Sequence, residues 1–338
     1  IYTRQFNILG DFITQRYIGV GFTNYIEYTL PAFAGSEFYI SLVGAGGGDG
    51  GGDVPNSTGG PGGSGNIFRA LVQVPPSSWP TDGGGNPDYT LRVYPGDAGD
   101  DGDDYSSSSG GGSGGFGYCY GGNGGNAGPN DASGAGGGGG GASAITFTDN
   151  TLIVMAGGGG GGGGAGNDTA TPLLTQYGNH STNGSAQTTT VNLNLPGDDG
   201  PAGSGQGGGA GGGGGGYDGS AGTLIASYTE DGVTLQTNDL DATGGNGGGA
   251  FYNTTFVTPL DGTLLSGQGA APREEGAVYI EFSQQDTTPD PFTFITLDGI
   301  DIQETVLSNI VQITGITGTV PVALSSPGFT SDLRICTS

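Results

Sequence analysis

The chain has 338 residues, 80 of them glycine and 18 proline, and carries 32 acidic against 6 basic residues for a formal net charge of −26. All the basic residues are arginine, and a charge of this sign and size repels nucleic acid and anionic membrane surfaces while favouring solubility. The glycine has no Gly-X-Y register, which excludes collagen, and 33% hydrophobic with 9% aromatic residues is too rich for a disordered Gly/Ser linker.

Residues 1–24 (IYTRQFNILGDFITQRYIGVGFTN) are β-branched and aromatic, and read as an extended lead-in with one or two strands. In YIEYTLPAFAGSEFYISLVGAGGG (25–48) two period-two stretches flank a Pro/Gly turn, and the second runs into glycine at Gly44. NIFRALVQV (66–74) and DYTLRVYPG (88–96) are further strands. SAITFTDNTLIVMAGGG (143–159) reads as a hairpin turning at Asp149-Asn150, and GTLIASYTEDGVTLQT (222–237) as another turning at Asp231-Gly232. GAVYIEF (276–282) is a final alternating strand. No stretch has a 3.6-residue apolar period, and glycine at this density opposes helix, so the chain is expected to be all-β.

Between the strands lie glycine tracts, among them 44–52, 121–128, 134–141, 157–166, 203–216 and 243–249. A linker joins two domains once; these tracts are interleaved with the whole strand system. Polyglycine can form an extended left-handed helix with three residues per turn and no internal hydrogen bonds. One such helix costs much conformational entropy, but several packed together satisfy each other's backbone groups. The expected fold is therefore a sheet system with a bundle of glycine rods.

The order IEYTLPAFAG, YISLVGAGGGDGGG, GGSGNIFRALVQV, YTLRVYPGDAG, ASAITFTDNTLIVMAGGGGGGGG, GGGAGGGGGGYDG and EGAVYIEF resembles the glycine-rich domain of phage tail fibres and adhesin-type virion proteins, over about residues 25–283. The resemblance implies a jelly-roll-like β-sandwich with an interleaved polyglycine II helix bundle. Long polar insertions such as 167–199 depart from the pattern, so no binding residue carries over. Residues 287–338 have few glycines, and PFTFITLDGIDIQETVLSNIVQITGITGTVPVALSS resembles the opening strands of an immunoglobulin-like repeat of phage structural proteins. It has too few strands to close a sandwich, so either more chain or a partner is expected to complete it. The domain reading is 1–24 lead-in, 25–286 glycine-rich domain and 287–338 partial immunoglobulin-like segment. The first residue, Ile1, suggests a piece of a longer polypeptide.

Candidate sites are few. Asp97, Asp100, Asp101, Asp103 and Asp104 form either a calcium loop or a solvated acidic loop, without the EF-hand spacing. Trp79, Tyr105, Tyr118 and Tyr120 could stack on sugar rings, or the tyrosines could pack over the glycine bundle. Tyr177 and His180, in the polar 167–199 insertion, join them as receptor-contact candidates. His180 is the only histidine and lacks a triad pattern, so no catalytic role is assigned. Asp198-Asp199 reads as a turn rather than a glycosidase pair, because Pro-Gly and Gly-Pro flank it. No glycine tract precedes Lys-Ser/Thr, which excludes a phosphate loop. Cys119 and Cys336 leave open one disulfide or two separate thiols. No run of 18 apolar residues is present and no leader is recognisable.

The expectation is a non-enzymatic protein of the virion surface, without a cofactor other than the calcium considered above. It would attach the particle to a host cell-surface glycan or outer-membrane protein. It would also contact other virion proteins, form a homo-oligomer such as a trimer, and neither bind nucleic acid nor insert into a membrane. The alternative is a purely structural subunit: a fibre shaft, capsid decoration or extracellular filament.

Overall fold

A computed structural model of the chain describes residues 5–9, 12–18, 25–31, 37–53, 58–104, 110–129, 133–166, 196–203, 208–216, 219–224, 229–230, 233–234, 242–265 and 270–283. The chain divides into two units, Ile1–Phe282 and Ser283–Ser338. The immunoglobulin-like segment, Tyr105, Tyr177, His180 and Cys336 lie outside the described residues.

The described chain is nearly all β, built from two antiparallel sheets and a short third ladder. In chain order the strands are β1 (Gln5–Leu9), β2 (Phe12–Ile18), β3 (Ile26–Thr29), β4 (Glu37–Val43), β5 (Ile67–Gln73), β6 (Thr90–Tyr94) and β7 (Ser143–Phe147). They continue with β8 (Leu152–Ala156), β9 (Thr229–Glu230), β10 (Val233–Thr234), β11 (Phe251–Tyr252), β12 (Val257–Leu265) and β13 (Ala277–Ser283). The larger sheet has the order β1-β2-β13-β4-β5-β12, the other β11-β8-β7-β6-β3, and β9 pairs with β10 alone.

Period-two alternation produces one core. Phe38, Ile40 and Leu42 of β4 are buried opposite Val72, Ala70 and Phe68 of β5, with Val278 and Ile280 of β13 on the other side. In the second sheet Val93 lies between Ile26 and Ile145, and Leu91 between Tyr28 and Phe147. These side chains from both sheets belong to a single apolar cluster. Each fully buried aliphatic or aromatic side chain contributes about 1.5–3 kcal/mol by leaving water. Every residue of β7 and β8 is buried, which suits the unbroken apolar run LIVMA of β8; the two polar residues of β7, Ser143 and Thr146, bond backbone carbonyls through their hydroxyls.

The strands flanking the Pro/Gly turn do not pair with each other: β3 pairs with β6 and β4 with β5 and β13, in different sheets. β11 and β12 had no strand expectation; β11 is two residues long, and Pro259 and Gly262 interrupt the run of β12. β12 is the last strand of its sheet, and its register shifts between Pro259 and Leu264, as suits an edge strand carrying proline.

β4, β6 and β8 run into glycine tracts at the end of the sheets where tracts also feed β5, β7 and β11. The tracts are hydrogen-bonded to one another with a period of three. From 157–166, the amides of Gly158, Gly161 and Gly164 donate to the carbonyls of Gly215, Gly212 and Gly209. Those of Gly159, Gly162 and Ala165 donate to Ala45, Gly48 and Gly51. The carbonyls of Gly157, Gly160 and Gly163 accept from Asn66, Gly63 and Gly60. Further carbonyls accept from 134–140 and 242–248, so this tract sits among five others at N···O distances of 2.7–3.1 Å. Among described glycines only Gly85 and Gly216 have positive φ, so the tracts do not need glycine for its dihedral freedom. They need it for closeness: an added Cβ at Gly160 would lie 2.5 Å from the carbonyl carbon of Gly245.

Candidate functional site

Among described residues only Phe116, Tyr120 and Leu224 are large exposed hydrophobics, and the first two occur together. They flank Gly117-Tyr118-Cys119, the bend between the inbound tract 110–116 and the outbound tract 121–129. That bend is pinned to the second sheet. The Tyr118 amide donates to Ala142 O (2.9 Å), the Ala142 amide to Cys119 O (2.9 Å), and Cys119 Sγ lies 3.6 Å from Met155 Sδ. Tyr118 packs edge-on against Tyr94 with ring centroids 5.1 Å apart, and burial pushes its phenol pKa up. With Tyr118 and Cys119 turned inward, Phe116 and Tyr120 face out at 42% and 49% exposure, their rings perpendicular and 5.5 Å apart.

These two rings border a groove of about 800 Å³ between segments 97–100, 113–116, 120–123 and 196–199. Asp97 and Asp100 line one side and Asp198 and Asp199 the other. No arginine is among the lining residues. The framework is backbone: Asp97 N donates to Phe116 O (2.6 Å), Asp100 N to Ser113 O (2.9 Å) and Gly197 N to Tyr120 O (2.8 Å). Asp199 Oδ1 accepts from Asn123 N (2.8 Å). Behind the groove, Ala98 N donates to Glu275 Oε2 (2.8 Å). Burial and the hydrogen bond to Asp97 push Glu275 up to about 8, so at neutral pH it carries a proton shared with that carboxylate.

The five aspartates of 97–104 do not converge. Asp101 pairs with Arg273 (2.6 Å) and accepts from Asp49 N (2.9 Å). Asp104 accepts from Gly52 N (2.7 Å) and Asp103 from Gly110 N (3.0 Å). Asp97 and Asp100 line the groove, and the Asp97 carboxyl is hydrogen-bonded to Glu275. The carboxylates thus cap outward amides of neighbouring tracts, as Asn123 and Asn126 do for Gly114 and Gly111. Among the described residues no group of three or more His, Cys, Asp or Glu side chains could hold a metal ion. The period of three places Asp97, Asp100 and Asp103 along one face of the tract and Asp101 and Asp104 along another, one turn apart in each row.

Trp79 is likewise a core side chain. It is 3% exposed and packs against Tyr89 and Phe147 at centroid distances of 5.2 and 4.9 Å. Of the aromatic candidates described, Tyr120 alone borders the groove, while Trp79 and Tyr118 turn inward. Phe116 was missed, although FGYCY places it and Tyr120 symmetrically about the bend. No helix among the described residues is long and apolar enough to cross a membrane. No known family model matches the sequence, and no curated protein shows detectable similarity to it.

Proposed function

We propose that the protein is a non-enzymatic adhesive part of a virion surface, of the tail-fibre or receptor-binding kind, which holds a host cell-surface glycan. The observation that carries this is the groove with two outward aromatic rings and aspartates on both sides. Exposed aromatics side by side are the hardware that stacks on sugar rings. The tracts are read as polyglycine II helices, supported by their hydrogen-bond period of three, and the paired sheets as a jelly-roll-like sandwich. Such a bundle presents the rings on a backbone lattice with little freedom, which lowers the ordering cost of binding.

The test is a glycan array probed with the full chain and with Phe116→Ala/Tyr120→Ala. Retention of a glycan by the wild-type chain and its loss in the double variant supports the reading. A blank array with wild-type protein, together with imaging that places labelled chain along a shaft or lattice, favours the structural subunit instead. The 167–199 insertion remains a candidate for host contact. A deletion testing it should end at residue 195, because Gly197 is already bonded to Tyr120 in the bundle.

A further inference from the structure

We infer that the groove between Phe116, Tyr120 and Asp198-Asp199 selects glycans bearing free, protonated amines, such as unacetylated amino sugars. The inference rests on the adhesive reading above and names its ligand class. A neutral sugar needs stacking faces and hydrogen-bond partners; it does not need carboxylates on both sides. With the Asp97 carboxyl engaged by Glu275, the groove sets Asp100 on one side of the rings and Asp198 and Asp199 on the other, with no arginine lining it.

The ion pairs found among the described residues lie elsewhere, at Arg92–Glu27 and at Arg273 with Asp49 and Asp101. Asp199 Oδ1 is held by the Asn123 amide, which fixes the carboxylate on the lip of the groove. Among the described residues no arginine pairs with Asp100, Asp198 or Asp199, and the chain's net charge of −26 attracts a cation from outside.

The aromatic pair adds a second demand. Perpendicular rings 5.5 Å apart offer one face and one edge, which suits the apolar face of a pyranose whose ammonium group reaches a flanking carboxylate. A simple metal cation would use the carboxylates and ignore the rings. An acidic or sulfated glycan would use the rings and be repelled by the carboxylates.

The probes are a glucosamine hexamer and its N-acetylated counterpart, titrated calorimetrically into the full chain at low and moderate salt. The expected result is binding of the amine form at least tenfold tighter than the acetylated form, weakening as salt rises. Asp198→Asn/Asp199→Asn should remove most of that preference, and Tyr120→Ala should weaken the amine form several-fold. Asp149→Asn/Glu37→Gln removes the same charge far from the groove and should leave binding unchanged.

Equal affinity for both hexamers, or no binding of either, overturns the inference. So does an equal loss in the remote double variant, which would mark general charge attraction. If both hexamers bind equally and Phe116→Ala abolishes both, the amine preference fails while the glycan-binding reading stands. The hexamer comparison on wild-type protein needs no variant to fold.

Discussion

Replacing Gly160 by alanine tests whether the glycine tracts are a packed lattice. The added Cβ would lie 2.5 Å from the carbonyl carbon of Gly245 and 2.9 Å from that of Asn246. Carbon atoms rest at roughly 3.5–4.0 Å, so tract 242–249 must retreat by about 1 Å. The bonds that hold it to 157–166 run from Gly245 N to Gly161 O at 2.8 Å, from Gly248 N to Gly158 O at 2.8 Å and from Ala242 N to Gly164 O at 3.1 Å. Lengthened by that amount, they leave hydrogen-bonding range. An unmade buried backbone bond costs about 1–3 kcal/mol, so losing two gives about 2–6 kcal/mol, a large share of a domain's typical 5–15 kcal/mol.

Gly160 has an ordinary negative or extended φ, so alanine itself is not strained there. In a linker the residue is as free in the folded chain as in the unfolded one, so the same substitution would leave stability nearly unchanged. Only the packed lattice predicts a loss. Scanning calorimetry of Gly160→Ala beside Gly83→Ala decides between them, because a Cβ at Gly83 meets nothing within 4 Å. A fall of roughly 5–15 °C for Gly160→Ala alone is expected, and a larger one for Gly160→Val. A Gly160→Ala chain that melts at or above the wild-type temperature refutes the lattice.

Other expectations concern the core, the bundle edge and the carboxyl pair. Trp79→Ala should cost about 3–5 kcal/mol, measured by urea unfolding, because the ring fills the core between Tyr89 and Phe147; a neutral result would remove it from the core. Asp101→Ala removes an exposed ion pair and one amide acceptor, and should lower stability by about 1 kcal/mol; loss of folding would show the edge matters more than its exposure suggests. Glu275 is raised from 4.5 to about 8 in the folded chain, so its contribution is full below about pH 4.5 and is lost as pH rises through about 8. Glu275→Gln, which can keep donating to Asp97, should flatten the decline in melting temperature between pH 5 and pH 8; an unchanged slope would show the proton is not shared.

Much of the strand content was legible because period-two alternation is a local signal: FYISLV and IFRALVQ each announce a buried face. β12 was not legible, since proline and glycine erase the alternation, and only its place at a sheet edge tolerates them. The site was legible in part. Tyr120 could be named as an exposed ring, but FGYCY does not say which aromatics turn in. That was settled by the contact of Tyr118 with Tyr94 and of Cys119 with Met155.

The sequence by itself determined that the chain is β-rich, with no α-helix among the described residues, and that strands alternate with glycine tracts. It did so because alternation and the absence of side chains act over a few residues. Tertiary structure alone decided which rods are neighbours. A glycine tract has no side chain to mark its register or partner, so MAGGGGGGGGAG could dock against any other tract. The order of strands in the two sheets fixes where each rod starts and hence which carbonyls its amides meet. The same arrangement brings segments 97–100 and 196–199, far apart in the chain, to opposite sides of Phe116 and Tyr120.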